Sequence, residues 1–409
     1  MHKNKELPPW AWTAILLTLV CLPRVSIDIY LPSLPAMADA LRASDAQMQL
    51  TLTLYMAGSA LSMLLCGPLA DRYGRRPVML AGTVVYLLAT LACACAQSAP
   101  VIIAARLFQA LGGCSGTLIG RVMVRDRFAP DVQAGMLSRI SMGMALSPVV
   151  APLIGSLIAL ALGWRGVFAT LAAVALLALA VVALLLPETR PAAAAGAPPA
   201  GTVAVYLRLL RDAYFLRYAL AIGFVYCTYF PFIAESSLLL QRTLHLSASA
   251  YALVFGATVT GYLIGSNLFR RLHARHGADR LIGAAVAVNA GGALLLLACT
   301  TWYPQALAAI VGPMLLIILS VGVAIPACQF AVLQPYAAIA GTASGLFFFI
   351  QMAITTLCGF VVGQMSDGSA RPMAGVTAAA SAALCAGWLA LRGQKVQRAA
   401  PGGAAASAQ

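Results

Sequence analysis

Charged residues are scarce in this chain of 409 residues. Only 9% of them are Asp, Glu, Lys or Arg, whereas about 25% is usual in a soluble domain. Hydrophobic residues make up 61% of the chain, against roughly 45–50% in soluble proteins. A soluble fold of this size could not cover so much apolar surface. The composition therefore predicts an integral membrane protein whose exterior faces lipid.

Residues that would support catalysis or metal binding are also missing from useful positions. The four histidines lie in the N-terminal segment or in loops, and no GxSxG, HExxH or P-loop sequence occurs. The ten cysteines lie in apolar segments without CxxC pairs, which is typical of small core residues. We expect no enzyme activity, no metal site and no cofactor. A membrane-embedded enzyme is the least favoured alternative.

Twelve apolar segments, six on each side of a break, fill most of the chain. They lie at about 10–34, 48–69, 78–97, 100–120, 136–160 and 165–186, and then at 214–240, 248–269, 281–300, 305–328, 340–363 and 372–391. Each is long enough to cross a bilayer as a helix. A β-barrel is excluded because runs such as 171–186 are apolar on every face. The sequence predicts an all-α membrane protein with twelve transmembrane helices.

The break divides the chain into two bundles of six helices. We predict an N-terminal bundle at 1–186, a Pro-, Gly- and Ala-rich linker at 187–212 and a C-terminal bundle at 213–392. The segment 393–409 is predicted to be a disordered tail. The Gly and Arg spacing after span eight, at 265–277, weakly repeats that of the loop after span two, which favours two related halves.

The basic residues predict the orientation. The formal charge is +14, from 26 Lys and Arg against 12 Asp and Glu. If both termini are cytoplasmic, most basic residues fall on that side, as short cytoplasmic loops require. Only Arg42, Arg165, Arg242 and Arg371 then lie on the opposite side. The excess positive charge therefore indicates topology and not nucleic-acid binding.

Two ionisable side chains stand one helical turn apart in the first span. An ionisable group at mid-bilayer costs roughly 2.5–3.5 kcal/mol on insertion scales, so it requires a partner, a water-filled cavity or a function. Arg24 and Asp28 could form a permanent bridge that only neutralises both charges. Alternatively, Asp28 changes its protonation when its partner moves or a substrate enters. Pro32 and Pro35 interrupt the helix just beyond the carboxylate, which favours such a switch.

A third buried charge, Arg106, begins a face of the fourth span that continues with Gln109 and Gly113. This face is polar and then small, which is typical of a helix that faces a cavity and packs closely on a neighbour. Because an arginine does not lose its charge, we expect Arg106 to be the fixed positive partner against which Asp28 titrates.

A fourth charge, Glu235, follows an aromatic cluster in the seventh span. Tyr226, Tyr229 and Phe230 could line a site for planar or amphipathic molecules. Alternatively, Glu235 and Arg242 mark the outer membrane interface.

Two further motifs concern packing and gating. The loop 67–77, GPLADRYGRRP, combines glycines that allow a tight reversal with an aspartate that could cap a helix. We expect it to hold one bundle against the other through Gly67, Asp71, Arg72, Gly74, Arg75 and Arg76. The fifth span is predicted to be bent and closely packed because it contains Gly143, Pro148, Pro152 and Gly155.

These motifs resemble the major facilitator superfamily, and within it the Bcr/CflA-type drug-resistance exporters of bacteria, over nearly the whole chain. The loop GPLADRYGRRP is similar to the superfamily's motif between spans two and three. RLFQALGG at 106–113 resembles its fourth-span motif, SIDIYLPSLPAM at 26–37 the first-span motif of the subgroup, and SPVVAPLIG at 147–155 the antiporter motif. The resemblance implies two pseudo-symmetric six-helix bundles and a monomer in the bacterial inner membrane.

The resemblance also implies a mechanism: export by alternating access, driven by the proton gradient. Asp28 and Arg106 would then couple protons to transport, and the 67–77 loop would form the inner gate. The expected cavity residues are Arg24, Tyr30, Gln109, Tyr226, Tyr229, Phe230 and Glu235. The expected substrates are small amphipathic molecules such as drugs and antibiotics. Two interior arginines could equally suit an anionic metabolite such as a siderophore, while the prolines of span five argue against nutrient uptake.

Overall fold

The computed structural model describes residues 8–190, 202–336 and 339–393. This part of the chain is helical and contains no strand, which confirms the predicted all-α class. The predicted tail beyond residue 393 and the middle of the predicted linker, 191–201, lie outside the described residues. The helices are α1 (Pro9–Asp28), α2 (Leu34–Ala40), α3 (Asp45–Tyr73), α4 (Arg75–Ala94), α5 (Ala99–Arg127), α6 (Pro130–Leu185), α7 (Thr202–Arg211), α8 (Ala213–Leu238), α9 (Ala248–His276), α10 (Ala278–Trp302), α11 (Leu307–Leu333), α12 (Ala340–Met365) and α13 (Arg371–Ala390).

Within the described residues, eleven helices are long and apolar enough to cross a membrane. One of them, Gly135–Leu185, has 51 residues and would be about 77 Å long if it were straight, far more than the roughly 30 Å of a bilayer core. Gly163 breaks it with φ 71° and ψ 175°, a conformation that is easy for glycine. The α6 segment therefore supplies spans five and six, which gives twelve spans within the described residues.

The two halves of the molecule, α1–α6 and α8–α13, meet along two pairs of helices. Helix α3 packs on α12, and the first part of α6 packs on α9. Between the halves, the predicted linker contains a short helix, α7. The loops alternate between two ends of the bundle. We call the end that carries the α3–α4 loop the basic end, and the end that carries the α1–α3 and α8–α9 connections the opposite end.

Helix α1 ends at the carboxylate that the sequence singled out. After Asp28 the chain forms a 3-10 turn, Leu31–Ser33, and then α2. Pro32 and Pro35 have no N–H, so the carbonyls four residues before them receive no α-helical hydrogen bond. The first span is therefore interrupted just beyond the buried acid, as its sequence predicts, and backbone acceptors become available there.

Span five packs closely, as its sequence predicts. Pro148 and Pro152 lie inside α6, and both are buried. A Cβ atom on Gly155 would lie 1.7 Å from the carbonyl oxygen of Ile29, and one on Gly143 would lie 2.6 Å from Cδ1 of Leu17. The small residues therefore let α6 touch the backbone of the first span directly beside Asp28.

We predict that Gly155→Ala lowers the thermal stability of the purified protein by several degrees, because the new methyl group displaces the Ile29 backbone. Gly135→Ala in the same helix is the matched control, since nothing lies within 4 Å of a Cβ there. Alanine favours a helix over glycine by up to about 1 kcal/mol, so this control should be neutral or more stable. Equal melting temperatures for the two variants would contradict the close approach.

Candidate functional site

The centre of the molecule contains an ion pair that reaches both halves. Nε of Arg24 lies 3.3 Å from Oδ2 of Asp28. The Nη1 atom of Arg24 donates a hydrogen bond of 3.0 Å to the hydroxyl of Tyr226 on α8. Asp28 and Tyr226, in different halves, are thus connected through one guanidinium group.

The Asp28 carboxylate lacks the hydrogen bonds that usually stabilise a buried charge. Its side chain is 0% exposed, and neither carboxylate oxygen has a hydrogen-bond partner among the described residues. The contact with Arg24 is an ion pair without the alignment of a hydrogen bond. A buried carboxylate with one loosely aligned counter-charge has capacity for a proton or a cationic group. The ion pair forms at the i,i+4 spacing that the sequence predicts; whether it is a permanent bridge or a switch stays a prediction.

Arg106 is enclosed by aromatic rings in the N-terminal half. It is 0% exposed, and its guanidinium carbon lies 4.2 Å from the ring centroids of both Tyr30 and Tyr55. Desolvated cation–π contacts of this kind contribute about 2 kcal/mol each. Its Nη1 donates to the backbone oxygen of Ser26 at 3.0 Å and to Oε1 of Gln109 at 2.6 Å. Arg106 therefore holds helix α1 two residues before Asp28.

Arg106 and Asp28 do not form a direct ion pair, and the electrostatic role expected of Arg106 stays a prediction. Among the described residues, the ion pair of Asp28 is with Arg24. Arg106 contacts the backbone of α1 two residues before the carboxylate, through the Ser26 carbonyl. Tyr30 and Gln109, expected to line the substrate cavity, instead surround Arg106: the Tyr30 hydroxyl bonds Thr51 at 2.8 Å, and both residues are fully buried.

Several residues of this buried cluster could not be identified from the sequence. The Tyr55 hydroxyl donates to the carbonyl of Pro23 at 2.8 Å. The hydroxyls of Tyr86 and Ser26 are 2.6 Å apart, and Thr90 accepts from Gln109 at 2.9 Å. Polar residues scattered over apolar helices give no periodic signal of their own. Whether these residues lie close to Arg106 depends on how three other helices pack beside α5.

The aromatic cluster of α8 is assembled as the sequence indicated. The rings of Tyr226 and Tyr229 meet edge to face with centroids 6.2 Å apart, and Tyr226 stacks on Phe230 at 6.4 Å. Because Tyr226 also accepts from Arg24, the aromatic surface and the ion pair form one continuous site. We call Arg24, Asp28, Tyr226, Tyr229 and Phe230 the central site.

Hydrogen bonds between the halves cluster away from the basic end. Apart from Arg24–Tyr226, those among the described residues lie at the opposite end. Ser237 donates to the Leu31 carbonyl, and Gln241 donates to the Pro32 carbonyl at 3.1 Å. The Leu31 carbonyl is the one that Pro35 deprives of an α-helical donor. The prolines of the first span thus supply acceptors for contacts between the halves.

An arginine completes the contacts at the opposite end. Arg242, which follows α8, pairs with Asp39, and its Nη1 lies 2.6 Å from Oδ1 of Asp45. We call Arg242, Asp39 and Asp45 the outer lock. Glu235 does not contact Arg242 in this lock, and the interpretation that both residues mark the membrane interface stays a prediction.

Glu235 lies near the outer lock and not in contact with the aromatic cluster. It is 3% exposed, its Oε1 accepts from Gln49 at 3.5 Å, and Gln49 also donates to Ser366 at 3.0 Å. Its other oxygen has no partner among the described residues. Beside it is a polar cavity of about 20 Å³, enough for one water molecule. Glu235 therefore lies in the contact between the halves, and its expected role in a substrate cavity stays a prediction.

The 67–77 loop forms a charge network inside the N-terminal half. The guanidinium of Arg75 bridges Asp71 at 2.5 Å and Asp126 at 3.1 Å. The Arg72 carbonyl accepts from Arg190 at 3.0 Å. Nothing lies within 4 Å of a Cβ on Gly67, so close packing does not require glycine there. These contacts join helices of one half, whereas the sequence suggested contacts between the halves.

Glu188, just after α6, performs the helix capping that the sequence assigned to Asp71. Asp71 lies in the last turn of α3. The Glu188 carboxylate accepts from the backbone N–H groups of Arg75 and Arg76, at the start of α4, at 2.9 and 3.1 Å. Gly74 makes this possible with φ 103°, and a Cβ on it would lie 2.6 Å from the carboxylate. Partial burial raises the pKa of Glu188, but backbone donors outweigh burial, and the pKa lies below its usual value.

We predict that Glu188→Gln lowers the melting temperature at pH 7.5, because the lost charge at a helix N-terminus is worth about 1 kcal/mol. A carboxylate whose pKa is lowered by folding stabilises the protein above its unfolded pKa, and this contribution is lost as the pH falls through the folded pKa. The two melting curves should therefore converge below about pH 4. A difference that persists unchanged at low pH would disprove the capping role.

Two six-helix halves that meet around a buried acid–base pair make up the architecture of a membrane transporter. The chain belongs to the major facilitator superfamily: the family profile described as "Major Facilitator Superfamily" matches residues 16–358. The expected membership is thereby confirmed. The protein is a multi-pass transporter of the bacterial inner membrane, and its family argues against an enzyme.

Relatives and solved structures agree with this assignment. The chain is 30% identical to a chloramphenicol resistance protein of Pseudomonas aeruginosa, over 80% of this chain and 77% of the relative. It is 28% identical to a bicyclomycin resistance protein homologue of Haemophilus influenzae, over 90% and 93%. The crystal structure of a bacterial homologue of the human lysosomal transporter Spinster superposes with a TM-score of 0.78, at 16% identity, over 97% of this chain and 100% of that one.

Proposed function

We propose that this protein is a proton-coupled exporter of small amphipathic molecules, including drugs and antibiotics, that works by alternating access. The observation that carries this proposal is the fully buried Asp28, which has no hydrogen-bond partner among the described residues and faces Arg24. Such a carboxylate can bind either a proton or a cationic group, and mutually exclusive binding is what an antiporter requires.

The distribution of contacts supports a conformation that is closed at the opposite end. We place the basic end in the cytoplasm because the positive-inside rule favours it. The outer lock then faces the outside, and the described hydrogen bonds between halves hold that side shut. In this state substrate would reach the central site from the cytoplasm, where an exporter takes up its substrate. Rocking of the halves would break the outer lock and expose Asp28 to external protons.

Coupling would run through Arg24. While Asp28 is ionised, Arg24 is shared between the Asp28 carboxylate and Tyr226 across the interface. A proton on Asp28, or a cationic substrate beside it, removes the need for this counter-charge and frees Arg24. Arg24 therefore communicates the state of Asp28 to α8. Arg106 is a positioning residue that fixes α1 while this exchange occurs.

The central site favours amphipathic substrates. Tyr226, Tyr229 and Phe230 offer an aromatic surface next to a carboxylate, which suits planar molecules that carry a cation. The named drug-resistance relatives support the same class of substrate. Because Arg106 is enclosed by two tyrosines, it is not available to an anion. Export of a siderophore would rest on Arg24 alone and is the second candidate.

We predict that Asp28→Asn abolishes export driven by a pH gradient while the protein still inserts and folds, because the amide cannot exchange a proton. Uptake into inverted vesicles would be measured with and without a pH gradient. Asp367→Asn, the same change at an exposed loop acid, should transport like the wild type. Pumping by Asp28→Asn at the wild-type rate would refute the coupling role.

The same vesicles distinguish the two classes of substrate. A panel of cationic drugs, neutral antibiotics and anionic chelators would be offered at equal concentrations. We expect transport of the cationic and neutral amphipathic compounds. Exclusive transport of the anionic chelators would favour siderophore export, and transport unaffected by collapse of the gradient would exclude proton coupling.

We predict that Arg242→Gln loosens the opposite end, because it removes contacts to both Asp39 and Asp45. Each such partly exposed pair contributes less than about 1 kcal/mol, so the effect is a shift in population and not unfolding. Hydrogen–deuterium exchange should rise several-fold at 34–45 and 236–247 and remain unchanged in α13. Arg371→Gln is the control at the same end, and equal exchange in the two variants would contradict the lock.

A further inference from the structure

A cleft on the C-terminal half lies apart from the central site. It has a volume of about 680 Å³ and opens between the basic ends of α8, α10 and α13. Its lining combines apolar residues, among them Gly283, Val286, Ala287, Trp388 and Leu389, with the charged residues Arg217, Asp279, Arg280 and Arg392. The volume lies in the range of ligand sites, roughly 300–1,000 Å³.

Arg217 is the buried charged residue that lines this cleft. Its side chain is 6% exposed, and its guanidinium carbon lies 3.9 Å from the ring centroid of Trp388. Nη1 pairs with Asp279 at 3.2 Å, while Nε has no hydrogen-bond partner among the described residues. The Asp279 carboxylate is shared, since it also accepts from the Tyr218 hydroxyl. A buried guanidinium with an unused donor therefore lines the cavity.

The cleft has a positive net charge. Three arginines and one aspartate line it, which leaves two uncompensated positive charges. Arg217 lies one turn inside α8, and Trp388 lies near the end of α13. Tryptophan and arginine at span ends are typical of the level of lipid headgroups. Below them, Gly283 and Ala287 leave a shallow path between helices at the level of the acyl chains.

We propose that this cleft binds an anionic glycerophospholipid from the leaflet at the basic end. The phosphodiester accepts hydrogen bonds from Arg217 and pairs with Arg280 and Arg392, and an acyl chain lies over Gly283 and Ala287. Arginine forms charge-assisted, forked hydrogen bonds to phosphate, and basic pockets between transmembrane helices suit anionic headgroups. The bound lipid joins α8, α10 and α13 and stabilises the C-terminal half. The site requires neither proton coupling nor export.

The test measures lipid affinity of the purified full-length protein by native mass spectrometry, with phosphatidylglycerol and phosphatidylcholine as probes. Each arginine near an anionic lipid contributes roughly a fivefold gain in affinity. The double variant Arg280→Gln/Arg392→Gln should therefore bind phosphatidylglycerol about 20-fold more weakly, with phosphatidylcholine unchanged. Both side chains are exposed, and Arg217 is kept, so the fold is not at risk.

A matched control separates this site from general surface charge. Arg271→Gln/Arg275→Gln removes the same charge from the basic end of α9, outside the cleft, and should change the affinity for phosphatidylglycerol less than twofold. Equal losses in the two double variants would overturn the proposal.

Two further experiments test whether the bound phosphate group belongs to a lipid or to a free anion. Ala287→Leu fills the acyl path and should weaken phosphatidylglycerol binding several-fold without affecting any binding of inorganic phosphate. Millimolar inorganic phosphate should not displace the lipid. Displacement by phosphate together with full lipid binding by Ala287→Leu would show a site for a free anion and refute the lipid assignment.

Discussion

A carboxylate in the dry centre of a lipid-embedded bundle needs a counter-charge or a proton, because water does not solvate it there. Asp28 has one such partner, Arg24, and the ion pair is not a well-aligned hydrogen bond. Arg24 also bonds Tyr226 of the other half. The ionisation of one acid is thereby tied to the relation between the halves, and the proposed coupling follows from this single arrangement.

The prolines of the first span give the region around Asp28 a second property: backbone carbonyls that accept hydrogen bonds from the other half. Within a membrane, backbone groups without helical partners must find others inside the protein. The Leu31 carbonyl accepts from the Leu34 N–H in the 3-10 turn and also from Ser237 of the other half. Gln241 donates to the neighbouring Pro32 carbonyl. Contacts between halves made by backbone acceptors can be exchanged for water when that end opens. The interruption of the first span after Asp28 therefore has two effects: it positions the carboxylate, and it provides contacts between the halves that can break when this end opens.

The sequence predicts the fold and the identities of the charged residues better than it predicts their partners. Apolar segment lengths are local properties, so the twelve spans can be read directly, and Gly163 even separates two spans that form one continuous helical stretch. The partners of Arg106 come from helices distant in sequence, so the sequence does not predict the contact with Tyr55. Glu188 as the cap of α4 was likewise hidden, because about 110 residues separate donor and acceptor.

The two halves contain different networks of buried polar side chains. In the N-terminal half, the charge of Arg106 is enclosed by tyrosines. In the C-terminal half, the neutral Asn289 donates to Thr228 and Ser320 at 2.9 Å each and accepts from Ser381 at 2.8 Å. A satisfied neutral network fixes helices without responding to protons. The proposed coupling group, Asp28, lies in the first span, while the C-terminal half contributes the aromatic surface, the Tyr226 partner and further buried charges at Glu235 and Arg217.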